Sequence, residues 1–262
     1  MLKIGEKLNS SIPKTLEALK NHDEAYLIDL IRRQEDCGAD YLDINTALTG
    51  DAELADMEWV IGLARKHSGC GIMLDSPNPE IIRAAVPFAG DRKIFVNSIT
   101  LDEKYESLYD LIREKHARVV CLPMTGRQIP ETALQRLENA QLLSDKLKAH
   151  GVPEEDIYVD ALTEAVATAS QAPSVTLETL RLLKERTSVR TICGLSNVSF
   201  GLPGRVRLNV FFLAMCMAAG ADALILDPTS VRMQEALYSA NALLGRDEYC
   251  LEYINYSRYC AK

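Results

Sequence analysis

The 262-residue sequence has no cysteine pair at CxxC spacing, no Gly-rich phosphate loop, no GxSxG elbow and only four histidines. Each shortage removes a class of chemistry. The seven cysteines (Cys37, Cys70, Cys121, Cys193, Cys216, Cys250 and Cys260) are odd in number and scattered, several inside apolar runs where a thiol behaves as a small hydrophobe. That usage predicts a reduced, cytoplasmic protein without a disulfide framework. No apolar run approaches the ~18 residues of a membrane span. The opening Met1-Leu2-Lys3-Ile4-Gly5 starts directly on a strand, so no signal peptide is expected. Positive charge is outnumbered, 29 Lys and Arg against 37 Asp and Glu: the formal net charge is −8 and no basic stripe offsets it, which argues against a nucleic-acid partner.

What the sequence does have is a recurring unit. Strand-like runs begin near Leu2, Asp40, Gly71, Lys93, Arg118, Asp156, Thr191 and Asp222. Their apolar stretches read as buried on both faces, as in a parallel sheet. Helical patterns lie between them at 25–37, 53–67, 78–88 (with Pro79 just inside its start), 102–115, 131–150, 174–187, 208–219 and 231–244. Strands alternating with helices eight times over predict an α/β fold, a (β/α)8 TIM barrel, which typically takes ~250 residues. One domain over 1–262 is expected. Its helical tail, 247–262, carries Tyr249, Tyr253, Tyr256 and Tyr259, packed within the monomer or on a neighbour.

Nearly every predicted strand ends in a carboxylate or a carboxamide. The first runs through Glu6 to Asn9 and the second through Asp43 to Asn45; the others close on Asp75, Asn97, Asp160, Asn197 and Asp227. In a parallel barrel such tips share one rim, the face where ligands bind. A carboxylate accepts two hydrogen bonds from the edge of a guanidine-like ring, and a carboxamide both donates and accepts. Asp75, Asn97, Asp160 and Asn197 therefore suit the edge of a 2-amino-4-oxo-pteridine. A lone Asp after a strand also caps the next helix, and for Asp227, before Pro228-Thr229, that reading has at least equal standing. His22 precedes a helix, and His67, His116 and His150 fall at or near helix C-termini, away from the rim. A histidine-bearing metal centre is not expected; an all-carboxylate Mg²⁺ site stays open in principle, and the expectation is no metal. Lys7 lies near the rim, but nothing around it marks a Schiff-base nucleophile.

The segment Gly194-Leu195-Ser196-Asn197-Val198-Ser199-Phe200-Gly201-Leu202-Pro203, followed by Arg205, Asn209 and Phe212-Leu213-Ala214, resembles the signature of pterin-binding methyltransferases. Ile4-Gly5-Glu6-Lys7-Leu8-Asn9, Leu42-Asp43-Ile44-Asn45 and Leu74-Asp75-Ser76 match the same family in order, so the resemblance runs essentially end to end. The chain resembles the methyltetrahydrofolate:corrinoid-protein methyltransferases of acetogens and of bacterial demethylating systems. The folate domain of cobalamin-dependent methionine synthase and dihydropteroate synthase are more distant relatives.

The resemblance implies tetrahydrofolate or 5-methyltetrahydrofolate as substrate, a corrinoid carried by a partner protein, a homodimer, and no metal on the barrel itself. It places Asp160 on the pterin N3–H and 2-amino edge, Asn97 and Asp75 on the remaining ring nitrogens, and Asn197 near the methyl-bearing N5. Asp43, Asn9 and Glu6 would lie around the same rim, with Asp43 a catalytic candidate beside Asn197 and Asp160. Gly194, Ser199 and Arg205 would lie in the strand-seven loop, where Arg205 is expected to meet an anionic group. Val210 is a departure, since several relatives carry arginine there. The implied reaction is methyl transfer between N5 and the corrinoid cobalt, in the direction of tetrahydrofolate within a demethylation pathway. N5 is a poor leaving group, and solvent or an Asp-linked water is expected to supply its proton while Asn197 stabilises the charged amine. Two alternatives stand beside this. A dihydropteroate-synthase-like condensation needs a cationic pocket for diphosphate, where the late strand tips offer mainly Arg205 and Arg207. The other is a non-catalytic folate-binding or corrinoid-docking subunit.

Overall fold

In the computed structural model, which describes residues 1–259, parallel strands close in chain order into a barrel. They are β1 (Leu2–Asn9), β2 (Tyr41–Asn45), β3 (Gly71–Asp75), β4 (Ile94–Ile99), β5 (Arg118–Cys121), β6 (Ile157–Asp160), β7 (Arg190–Gly194) and β8 (Ala223–Leu226), which returns to pair with β1. Helices α1 (Pro13–Lys20) and α2 (Glu24–Asp36) follow β1. The later strands are followed in turn by α3 (Glu53–His67), α4 (Pro79–Ala85), α5 (Tyr109–Glu114), α6 (Ala133–Ala149), α7 (Ala172–Arg186), α8 (Arg205–Ala218) and α9 (Val231–Leu243). A last helix, α10 (Leu251–Tyr259), packs on α9. The architecture is the (β/α)8 barrel expected from the alternation.

Local chemistry starts the helices. Asp23 caps α2 by accepting from the Tyr26 N–H at 3.0 Å, and Asn78 caps α4 from the Glu80 N–H at 3.1 Å, ahead of Pro79. Thr132 and Gln135 form a reciprocal capping box at α6.

The elements depart from the sequence reading in instructive places. Helix α1 is too short, at eight residues, for its periodicity to stand out. The 78–88 pattern ends as α-helix at Ala85 and tightens to a 3-10 turn over Val86–Ala89, where Pro87 has no N–H for an α-helical bond. The 102–115 pattern is 3-10 over Glu103–Leu108 before α5; buried Tyr105 and Leu108 stand three apart, the 3-10 repeat. Strand β7 stops at Gly194, and Leu195–Ser199 wind into a 3-10 turn, so Asn197 is not a strand tip. In the tail, Tyr249 sits in the left-handed region (φ 53°) before α10 rather than on the helix, and Tyr256 stacks on Tyr238 at 4.4 Å. Cys260 and the end of the expected tail lie outside the described residues.

Side-chain alternation sorts each strand between two cores. Ile4, Tyr41, Met73, Phe95, Val120, Tyr158, Ile192 and Ala223 fill the barrel interior. Leu42, Ile44, Ile72, Leu74, Val96, Val119 and Val159 pack against the helices. Strand β1 breaks its own alternation: Ile4 faces the interior, yet Leu8, four residues on, joins the outer core. A bulge between Gly5 and Leu8 accounts for the change. The backbone groups it frees are satisfied, since the Lys7 N–H donates to Gln34 Oε1 at 3.0 Å and the Thr15 hydroxyl donates to the Lys7 carbonyl at 2.9 Å. Only glycine fits at Gly5, because a Cβ there would collide with the Gln34 side chain. At the strand N-terminal end Arg118 lies over the rings of Tyr41 and Tyr158, 5.6 and 5.8 Å from their centroids. Among the described residues no helix is long and apolar enough to cross a membrane.

Candidate functional site

Two residues beyond each interior apolar side chain, the same face of the strand approaches the barrel mouth. The step leads from Ile4 to Glu6, from Tyr41 to Asp43 and then Asn45, from Met73 to Asp75, from Phe95 to Asn97, from Tyr158 to Asp160, and from Ile192 to Gly194. Strand pairing sets Asn9 level with Asn45, Asn45 with Asp75, and Asp75 with Asn97; Asp43 lies one step deeper, level with Met73. The polar tips read from the sequence on β1, β2, β3, β4 and β6 thus converge on one opening above an apolar floor.

Burial governs the electrostatics here. Asp43 is fully buried, and its carboxyl is held well above the usual range by desolvation and by the neighbouring Asp75, opposed by the carboxamides of Asn97 and Asn9. Its Oδ1 has no hydrogen-bond partner. Desolvation also raises Asp75, although Asn45 Nδ2 donates to its Oδ2 at 2.9 Å and favours the anion. Burial pushes Asp160 up to about 6, against the Leu162 N–H, which donates to Oδ1 at 2.6 Å, and the nearby Arg136 guanidinium. Burial lifts Glu6 to about 7; the bond from Ser196 and the charges of Lys7 and Arg205 oppose the rise, and Asp227 adds to it. Carboxyl groups in this state bind N–H donors in exchange for their protons.

Strand β7 contributes a gap instead of a side chain. A Cβ on Gly194 would stand 3.0 Å from Nδ2 of Asn197, so glycine lets that carboxamide fold back over the strand end from the 3-10 turn. Arg205 braces the turn: its Nε donates to Ser199 Oγ at 3.1 Å, one terminal nitrogen donates to the Ser196 carbonyl at 2.7 Å, and the guanidinium lies over Phe200. The arginine expected to meet an anion therefore uses these donors within its own loop. Ser196 Oγ donates to Glu6 Oε1 at 2.7 Å, and Asn209 Nδ2 lies 3.4 Å from the same hydroxyl. Val210 packs against the core beneath α8.

Asp227 Oδ2 lies 3.2 Å from Lys7 Nζ, while its Oδ1 accepts from the N–H and hydroxyl of Thr229 at 3.0 and 2.7 Å. Helix α9 begins after Ser230, so Asp227 shapes a turn and an ion pair rather than capping that helix. The histidines stand where the sequence put them: His67 in the last turn of α3, His150 at the C-cap of α6 and His116 just past α5, with the His22 ring tilted at 57° against Trp59. Among the described residues no three His, Cys, Asp or Glu side chains group to hold a metal ion.

Arg136 escaped the sequence reading. It is 1% exposed on α6, and it donates to the carbonyls of Pro130, Ala161 and Leu162 at 2.9, 2.8 and 2.8 Å and to Glu164 at 2.7 Å. These bonds hold the segment after Asp160, in which Leu162 adopts a left-handed φ of 56° so that its N–H reaches the carboxylate. The signal was present: Arg136 stands in the apolar stripe of α6 with Ala140, Leu143 and Leu147, where an unpaired charge is costly.

Residues 5–227 match the family described as pterin binding enzyme. The chain is 30% identical to the methylcorrinoid:tetrahydrofolate methyltransferase of Eubacterium limosum over 259 residues, covering 97% of this chain and 94% of that protein. It is 30% identical over 246 residues to the methionine synthase of Mycobacterium leprae (strain TN), covering 88% of this chain but 20% of that longer protein. Among solved structures, dihydropteroate synthase from Coxiella burnetii in complex with pteroic acid superposes with a TM-score of 0.64 at 19% identity, covering 92% of this chain and 94% of that one. The Xanthomonas albilineans enzyme in complex with 7,8-dihydropteroate gives 0.66 at 20% identity, covering 93% of each chain. Identity that low establishes a shared fold.

Proposed function

From the premise that this chain belongs to the pterin-binding enzyme family and is a methyltransferase, we propose that it moves a methyl group between N5 of tetrahydrofolate and the cobalt of a corrinoid carried by a partner protein. The observation that carries this reading is the ring of inward carboxylates and carboxamides whose hydrogen-bonding capacity is only partly used. Asp43 Oδ1 is unpartnered, and Asp160 takes its one side-chain bond on Oδ1, leaving Oδ2 without one among the described residues. In this reading Asp160 accepts the pterin N3–H and 2-amino group, while Asp75 and Asn97 meet the remaining ring nitrogens. Asn9 completes the rim beside Asn45, and Asp43 lies one step deeper. Asn197, over Gly194, lies at N5 and stabilises the positive charge that N5 carries when its bond to carbon forms or breaks. The corrinoid cobalt supplies the other partner of the displacement, in line with the N5–methyl bond. The barrel binds no metal of its own in this proposal.

The favoured direction is from methylcorrinoid to tetrahydrofolate, in a cytoplasmic demethylation pathway, and the protein acts as a homodimer. A condensing reaction would require free cations for diphosphate, whereas Lys7 is paired with Asp227 and Arg205 is engaged in its loop. A purely docking subunit would need no polar group at N5.

The test is a methyl-transfer assay with methylcobalamin and tetrahydrofolate, run in both directions, beside a calorimetric titration with tetrahydrofolate. Transfer that saturates in folate is expected. Binding without transfer in either direction would support a docking subunit. A diphosphate-dependent product from p-aminobenzoate would support condensation.

A further inference from the structure

Resting on the methyl-transfer reading, we propose that Glu6 is the acid–base group of the reaction, exchanging the proton of N5 through its Oε2 oxygen. Strand alternation from the interior Ile4 brings Glu6 to the mouth, on the side of the barrel where β1 adjoins β8 and the β7 turn follows. Its Oε1 is held by the hydroxyl of Ser196, the residue immediately before Asn197, at 2.7 Å. Oε2 takes no hydrogen bond among the described residues. A carboxyl fixed by one oxygen beside the residue assigned to N5 is placed to serve that nitrogen with the other.

The neighbouring acids are committed elsewhere. Asp160, at the end of β6, accepts from the Leu162 N–H through Oδ1 and in this reading gives its other oxygen to the pterin edge; Asp75 accepts from Asn45, and Asp227 is engaged with Lys7 and Thr229. Asp43 lies one pleat deeper, level with Met73. The groups facing Glu6 are Lys7 on its own strand, Asp227 after β8, Arg205 on α8, Asp43 on β2 and the Ser196 hydroxyl. Burial outweighs the two cations and leaves the carboxyl at about 7, so that it both gives and takes a proton near neutrality.

The balance closes in each direction. Toward tetrahydrofolate, the N5 lone pair forms the bond to methyl while the carbon–cobalt bond breaks and leaves its electron pair on cobalt. N5 then carries its original hydrogen and a positive charge; the Glu6 carboxylate takes that proton and later returns it to solvent. In reverse, the neutral Glu6 acid protonates N5 of 5-methyltetrahydrofolate, and the methyl leaves a neutral secondary amine behind as cobalt supplies the electron pair.

The test compares wild type with Glu6→Gln in single-turnover transfer at saturating folate from pH 5.5 to 8.5, with folate affinity and thermal melts measured in parallel. Wild type is expected to show a limb near pH 7. The Gln variant should fall by roughly 10²–10⁴ in rate and lose the limb, with folate affinity within a few-fold. Glu6→Asp keeps an ionisable group and should retain a limb at a displaced pH. A Gln variant with wild-type rate and limb would overturn the proposal. So would a Glu6→Asp profile whose midpoint is unmoved, since the limb would then belong to another group. Absence of transfer by wild type would instead remove the methyl-transfer reading, and Glu6 would fall with it.

Discussion

Asn197 illustrates how a single side chain can matter to rate and hardly to stability. It is exposed, it rides on a 3-10 turn braced by Arg205 and Ser199, and it fills space that Gly194 leaves open. Asn197→Ala should therefore fold normally. If the carboxamide acts on the charge at N5, the variant should lose roughly 10²–10³ in single-turnover rate. Ground-state folate affinity should fall by only about 0.5–1.5 kcal/mol, the value of one neutral hydrogen bond. Rates at saturating folate, set against a separate binding titration, distinguish the two effects. A variant as fast as wild type would leave Asn197 as a binding residue alone.

Among the elements, α8 carries an unusual surface. It has no charged residue after Arg207, and its outer face shows Leu208, Phe211 and Met215 at 39%, 74% and 49% exposure. Surface helices normally keep a polar outer stripe. The spacing of these three residues makes one continuous apolar row, a suitable self-complementary contact for the proposed homodimer about a twofold axis. Phe211→Glu would bury an unpaired carboxylate in that contact twice over, raising the dimer dissociation constant by roughly 10²-fold or more. The fold should survive, because the side chain is already largely exposed. Sedimentation velocity on both proteins gives the answer. A wild-type protein that sediments as a monomer at micromolar concentration would remove α8 as the interface.

For the whole molecule, the mouth carboxyls make stability depend on pH. Burial raises Glu6, Asp43, Asp75 and Asp160 above ordinary carboxyl values, so the folded protein binds more protons than the unfolded chain between roughly pH 4 and 7. Their contribution is fully present below the ordinary carboxyl range and is lost as pH rises through the folded values. Folate-free protein should therefore lose stability to urea from pH 5 to 7.5. Asp160→Asn should flatten that slope, because one raised carboxyl is gone. Pterin donors favour the carboxylate, so folate binding to wild type should release protons, read by calorimetry in buffers of different ionisation enthalpy. Identical slopes for wild type and Asp160→Asn would show that Asp160 is not protonated in the folate-free protein.

The sequence by itself determined the barrel and the identity of most groups at its mouth, because both are local. Apolar runs bounded by polar residues mark strands whatever they pair with, and in a parallel barrel every strand delivers its last side chains to the same end. Asp75, Asn97 and Asp160 were legible for that reason. Tertiary structure decided what depends on distant partners. The run from Thr191 to Ser196 reads as one strand, and only the close of β7 at Gly194 shows Asn197 to ride on a turn. The β1 bulge that sends Leu8 outward rests on Gln34 and Thr15, and the bond that holds Glu6 comes from Ser196, 190 residues away. The raised carboxyls are likewise a tertiary property, since desolvation exists only once the barrel has closed around them.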